Sequence, residues 1–220
     1  MQTFETPTPI SAVLDIPAGR VHLVATDRAD TVVEVMPVDA AKGRDVKAAE
    51  RTTVEYADGV LRIATTVKNE YLGPSGSVEV TVHLPTGSSV EAKAASAELR
   101  VEGRFGDVAF DGAHGTIEVD EAAGVKLTAL AGDVSVRRLD GPAEISTAKG
   151  DIRIAEAVRG TVVLRTQAGD IAVSAAHGVS AALDASTSFG RIDNALMNTG
   201  DADLRIQATT AYGDIAARSL

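Results

Sequence analysis

Residues 147–173 read TAKGDIRIAEAVRGTVVLRTQAGDIAV, and within them Gly150-Asp151-Ile152 returns as Gly169-Asp170-Ile171. A Gly-Asp pair written twice could be a duplicated metal or catalytic site, or the corner of a repeating scaffold. The glycines around it decide for the corner. One series runs Gly115, Gly132, Gly150, Gly169, Gly190, Gly213, in steps of 17, 18, 19, 21 and 23 residues, and a second lies between them at Gly106, Gly124, Gly141, Gly160, Gly178 and Gly200. Two turns in each ~18-residue period leave two short strands per period.

The apolar residues keep the same time. Two positions after the first series come Ile117, Val134, Ile152, Ile171, Ile192 and Ile215, and two further on Val119, Val136, Ile154 and Val173. A second set is Val108, Val125, Ala143, Val162, Leu183 and Ile206, followed by Phe110, Leu127, Ile145, Leu164, Ala185 and Ala208. Alternation with period two inside each strand, and repetition at the same place in each period, predict an all-β parallel solenoid with two short strands per coil. Ala129, Thr147, Thr166, Thr187 and Thr210 form a smaller inward column just before the corner. The stretch NALMNTGDAD, 194–203, reads as a longer loop.

Composition agrees. The chain has 220 residues, 45% of them hydrophobic, enough for a core. Its seven aromatics (Phe4, Tyr56, Tyr71, Phe105, Phe110, Phe189, Tyr212) leave Val, Ile, Leu and Ala to fill that core, as thin stacked sheets require. A net charge of −10 without a Lys/Arg cluster excludes nucleic acid and anionic membrane surfaces as partners. No window approaches a membrane span, so no membrane insertion is expected. The absence of cysteine removes disulfides, thiolate metal sites and cysteine nucleophiles. The opening MQTFETPTPI has no basic or apolar leader character, and the expected location is cytoplasmic.

The first ninety residues are strand-like but less regular. Asp58-Gly59 in YADG makes a tight hairpin turn; DVKAAERT, 45–52, is one short helix with Asp45 capping its first turn; NEYLGPSGS, 69–77, is a mobile loop. No linker divides the chain. The expectation is a single solenoid domain over 1–220, with an irregular amino-terminal region, 1–95, acting as a cap and regular coils over 96–220.

Several residues could carry chemistry. Asp133, Asp151 and Asp170 are weak metal candidates, because coil stacking would place carboxylates ~4.8 Å apart. Calcium-binding β-rolls, however, repeat every nine residues with tandem glycines, and here Asp follows a single Gly at twice that period. A turn role accounts for the pair, Gly accepting positive φ and Asp bonding local N–H groups. Glycan-cleaving β-helices need paired acids in a cleft with sugar-gripping groups, and none accompany these acids. GPSGS matches a nucleophile elbow only superficially. His22, His83, His114 and His177 lack ligand spacing. No catalytic residue and no cofactor is expected.

Phe189 and Tyr212 both precede a corner glycine and should stack as an end-coil staple or a partner-binding patch. Ile215 lies in the last coil, five residues before Leu220, so an uncovered carboxyl-terminal β-edge is expected, and through it a homodimer unless Arg218 or the 194–203 insertion blunts it. The interaction residues are therefore Phe189, Tyr212 and Ile215, and a further protein partner is unidentified.

DVKAAERTTVEYADGVLRI (45–63), GSVEVTVHLPTGSSVEAKAA (76–95) and the GDI corners ending in TAYGDIA (210–216) resemble the bacterial DUF4097 β-strand-repeat proteins, often labelled candidate adhesins, and among them actinobacterial, cytosolic-looking members. The resemblance covers most of the chain and implies a noncatalytic β-solenoid, structural or protein-interacting, with a carbohydrate- or cation-binding surface protein as the alternative. Against an adhesin stands the lack of a visible export signal. At Gly190-Arg191 an arginine replaces the repeated Asp, which interrupts the acidic column.

Overall fold

A computed structural model describes residues 1–66 and 76–220. Residues 69–75 of the loop expected over 69–77, and most of GPSGS, lie outside them. The described residues gather into two compact units, 1–115 and 116–220, both built of strands.

In the first unit the strands are β1 (Gln2–Glu5), β2 (Ser11–Thr26), β3 (Asp30–Pro37), β4 (Thr52–Ala57), β5 (Val60–Thr65), β6 (Val78–Pro85) and β7 (Ser89–His114), with one helix, α1 (Gly43–Glu50). β2 already behaves as a coil. Its first part, Ser11–Asp15, lies parallel between β5 and β7, and its second part, from Gly19, lies parallel between β6 and β7. The chain turns at Gly19, whose φ is +138° and where a Cβ would stand 1.8 Å from the Val78 carbonyl oxygen, so only glycine fits. The irregularity is antiparallel pairing: β3 against β6, β1 against β3, β4 against β5. Asp58 (φ 51°) and Gly59 (φ 77°) make the expected β4–β5 turn, and Phe4 packs on Tyr56 with ring centroids 5.5 Å apart. Leu14, Leu23, Leu61, Ile63, Leu84, Leu99 and Phe105 fill the interior.

The helix differs from expectation in its cap. Lys42 occupies the N-cap position and makes no side-chain cap bond. Asp45, inside the first turn and buried, accepts the Ser77 N–H at Oδ1, 3.0 Å. A nearby backbone donor from outside the helix has taken the carboxylate, because a buried N–H left unpaired costs more than a surface cap contributes.

The second unit is a regular solenoid: β8 (Ile117–Ala131), β9 (Val134–Leu139), β10 (Ala143–Lys149), β11 (Ile152–Ala157), β12 (Gly160–Ala168), β13 (Ile171–Ala175), β14 (Ala181–Phe189), β15 (Ile192–Ala195), β16 (Leu204–Tyr212) and β17 (Ile215–Ser219). Every pairing described is parallel. One column runs β8, β10, β12, β16, β14. The other begins with the first part of β8 and runs β9, β11, β13, β17, β15. Like stacks on like: Val125, Ala143, Val162, Ile206 and Leu183 in the first column, and Ile117, Val134, Ile152, Ile171, Ile215 and Ile192 in the second.

The order of the last three coils corrects the sequence reading. The final coil, β16–β17, is inserted between β12–β13 and β14–β15, so Ile215 is paired on both sides and 1% exposed. The open edge belongs to β14 and β15, and the expected edge at Ile215 does not exist. The 194–203 stretch is the crossover that makes this possible. It is held by Ala181 N–H to the Met197 carbonyl, 2.9 Å, by Met197 N–H to Ser219 Oγ, 2.8 Å, and by Thr199 N–H to Ser180 Oγ, 3.1 Å.

Ile152, 1% exposed between Val134 and Ile171, tests this register. Ile152→Asp buries a charge without a partner and is expected to cost more than about 3 kcal/mol, abolishing the cooperative thermal transition in circular dichroism. A variant that melts like the wild type places Ile152 on the wrong face.

Candidate functional site

The repeated corner is the one place where the same polar residues recur at the same point of each coil. Its residues lie in the spatial order 133, 151, 170, 214, 191. The Asp133 carboxylate accepts the Asp151 N–H (2.9 Å), Asp151 accepts the Asp170 N–H (2.8 Å), Asp170 accepts the Asp214 N–H (2.7 Å), and Asp214 accepts the Arg191 N–H (2.8 Å), in every case at Oδ1. Each aspartate thus bonds the backbone of the next coil, a longer-range task than the local turn bond expected of it. The column is unbroken over its four acids. Arg191 comes after Asp214 in space, although it precedes it in sequence, and the expected interruption is instead a terminus. There the Arg191 guanidinium turns back to Asp214, Nη2 to Oδ2 3.1 Å.

The glycines of the corner are there because neighbouring coils touch. At Gly150 φ is +144° and an added Cβ would lie 2.2 Å from the Gly132 carbonyl oxygen; at Gly169 the values are +154° and 2.0 Å from that of Gly150. These same carbonyls accept hydroxyl bonds. Thr166 Oγ1 donates to Gly150 (3.1 Å), Thr210 Oγ1 to Gly169 (3.0 Å) and Thr187 Oγ1 to Gly213 (3.0 Å), each reaching the coil before it. The inward column expected of these threonines is thus also a hydrogen-bonding one. The signal was present as a four-fold Thr-x-x-Gly spacing at 147, 166, 187 and 210.

Asp133, Asp151 and Asp170 are therefore brought into one column, with one oxygen of each engaged by backbone. Among the described residues no group of three His, Asp or Glu gathers as a metal cluster. The four histidines fall on different elements: β2, β6, the end of β7, and the turn after β13. His22 approaches Glu102 Oε1 at 3.4 Å, and the Arg100 guanidinium, followed by His22, holds Glu102 below the usual carboxylate range.

Phe189 and Tyr212 are brought together face to face, centroids 5.0 Å apart and planes 6° from parallel, and both rings are exposed. Ile215, expected beside them as an interaction residue, is interior. Its place at the open end is taken by Ile192, 47% exposed. No described helix is long and apolar enough to cross a membrane.

Removing the corner bonds one at a time separates their contributions. Asp151→Asn retains an oxygen acceptor and is expected to melt close to the wild type; Asp151→Ala is expected to cost about 1 kcal/mol; Gly150→Ala, which forces neighbouring backbones apart, about 3 kcal/mol or more. Equal effects of all three in thermal denaturation contradict this ranking. Asp214 supplies a pH test. The Arg191 backbone N–H, and then its guanidinium, lower its pKa from the ordinary 3.8. A folded-state value below the unfolded one gives stability that is present above about pH 4 and lost as pH falls through the folded value. Asp214→Asn should therefore show a shallower fall of Tm with acidification than the wild type, and an unchanged slope excludes this linkage.

The family model described as Toastrack DUF4097 matches residues 19–219. No curated protein matches the sequence. Among solved structures, the chain is similar to a candidate adhesin from Bacteroides fragilis, at 13% identity and a TM-score of 0.60 over 98% of this chain and 95% of that one. It is also similar to a candidate adhesin from Parabacteroides distasonis, at 12% identity and a TM-score of 0.51 over 100% of this chain and 95% of that one. At these identities the likeness is one of fold. A family match spanning nearly the whole repeat, on a chain whose Thr-x-x-Gly-Asp corners build a parallel β-solenoid, makes this protein a member of the Toastrack DUF4097 family.

Proposed function

We propose that the chain is a noncatalytic module, structural or protein-binding, whose β-solenoid holds polar side chains in fixed rows for a protein partner. The observation that carries this reading is the use made of its acids. The residues most like catalytic carboxylates, Asp133, Asp151 and Asp170, each hold the backbone of the next coil through a hydrogen bond of 2.9 Å or less. A carboxylate positioned by and for the neighbouring backbone gives up the geometry that acid–base work on a substrate requires.

The outward rows support a surface role. Across coils, Lys126 faces Glu144 (3.7 Å), Arg138 bonds Glu156 (2.5 Å) and Arg137 pairs with Asp120, while Asp140, two residues on in the same coil, also pairs with Arg138 (3.0 Å). Exposed pairs of this kind contribute little to stability, yet they present alternating charge on a flat, rigid face, which suits orientation and specificity in protein recognition. A depression of about 100 Å³ lined by Arg165, Asp184, Ser186, Gln207 and Thr209 lies on the outer face of the first column; sites that enclose small molecules are commonly ~300 Å³ or more. The neighbours described as candidate adhesins keep a carbohydrate- or cation-binding surface as the alternative.

The test is capture of a protein from host extract by the immobilised full-length chain, compared with a Lys126→Glu, Arg137→Glu, Arg165→Glu variant of unchanged Tm. Retention by the wild type and loss by the variant are expected. Hydrolysis of a glycan substrate by the wild type that disappears in Asp151→Asn overturns the noncatalytic reading.

A further inference from the structure

The second unit ends in an open coil. β14 and β15 pair on one side only, with β16 and β17. The coil-to-coil bonds run in a fixed direction: Gly150 N–H to Ala168, Gly169 N–H to Tyr212, Gly213 N–H to Phe189, and Ile152, Ile171 and Ile215 N–H to Asp170, Asp214 and Arg191, all onto backbone carbonyls. By this pattern Gly190 and Ile192 are the next donors, and no described strand lies beyond them. The side chains tell the same story. Leu164 and Ile206 inside the stack are at most 1% exposed, whereas at the end Leu183, Ala185 and Thr187 are half-buried, Ile192 is 47% exposed and Phe189 65%. This is a cross-section through a hydrophobic core.

We propose that this end binds a second copy of the chain, β14 pairing antiparallel with its two-fold mate. A row of unpaired N–H and C=O groups is matched by another strand edge, and β14 matches itself. It spans Ala181–Phe189, nine residues with Ala185 at the midpoint, and it carries no Lys or Pro to block pairing. In antiparallel overlap centred there Ala185 meets Ala185, Leu183 meets Thr187, and Asp184, the strand's one charge, meets Ser186; Ala181, whose N–H is already held by the Met197 carbonyl, lies outside the pairing. A shift of the centre to residue 184 would set Asp184 against itself, which like-charge repulsion disfavours.

Size and direction point the same way. Nine residues give a strand ~30 Å long, and two sheets ~10 Å apart with their outer side chains are ~20 Å thick, so the end face is roughly 600 Å² per copy. The pair would then bury roughly 1,200 Å², the lower bound for a stable specific interface. Head-to-tail addition is disfavoured at the corner. To continue the ladder a carboxylate is required at 191, and Arg191 is there instead, folded back on Asp214. A closed, isologous pair needs no such continuation.

Light scattering and sedimentation on the full-length chain test this. The wild type is expected to dimerise at roughly micromolar concentration, as suits an interface of this size. Ile192→Lys, at a side chain already half exposed in the monomer, should weaken the dimer by more than about tenfold with its Tm as monomer unchanged, while Leu130→Lys, at a more exposed residue on β8 at the far side of the column, should leave it intact. Because the chain has no cysteine, Ala185→Cys provides a clean reporter: oxidised glutathione should give a covalent dimer through the self-opposed residue. A monomer at roughly a hundred times that concentration, a dimer indifferent to Ile192→Lys, open-ended polymers, or a dimer in which Cys at 185 does not cross-link would each overturn the proposal.

Discussion

Everything in the second unit depends on how closely one coil's corner rests on the next. The corner glycine of each coil stands against the corner carbonyl of its neighbour, at a separation that excludes even a methyl group. That contact fixes the register. With it fixed, the aspartate after each glycine finds the next backbone N–H within bonding distance, and the threonine three residues before it finds the preceding carbonyl. Two residues further on, isoleucine falls on isoleucine. One steric constraint, repeated, thus aligns the hydrogen-bond ladder, the polar corner and the core.

This explains which parts were legible in the sequence. Period, strand count per coil, inward residues and parallel stacking follow from the spacing of Gly and Ile, because an in-register stack repeats the same environment at the same interval. The order of coils does not follow. Ile171, Ile192 and Ile215 are chemically identical at their position, so β15 would fit beside β13 as well as β17 does, and local pattern is blind to the choice. What distinguishes them is the end position: Asp at 214 can accept from a further coil, Arg at 191 cannot.

The first unit was less legible for a related reason. Its antiparallel pairs, such as Val33 with Val82 and Thr3 with Val32, join segments that share no repeated motif. Only the β4–β5 hairpin, announced by Asp58-Gly59, could be read locally. Asp45 shows the same limit: a helix-start pattern was visible, but the donor that claimed its carboxylate, Ser77, lies 32 residues away. For the site, the pairing of Phe189 with Tyr212 followed from common position, whereas the burial of Ile215 followed from topology alone.

The inserted final coil also gives the chain a direction in time. Synthesis delivers β12–β13 and β14–β15 before the element that separates them exists, and their shared register allows the two to meet directly in the meantime. The last seventeen residues, 204–220, must therefore displace or precede that contact, and they complete ladders on both sides at once. Closure of the stack is a non-local step that waits for β16–β17, the kind of step that makes β-rich folding slow. Its completion also leaves the core of the second unit open at β14–β15, a coil made before the one that it shelters.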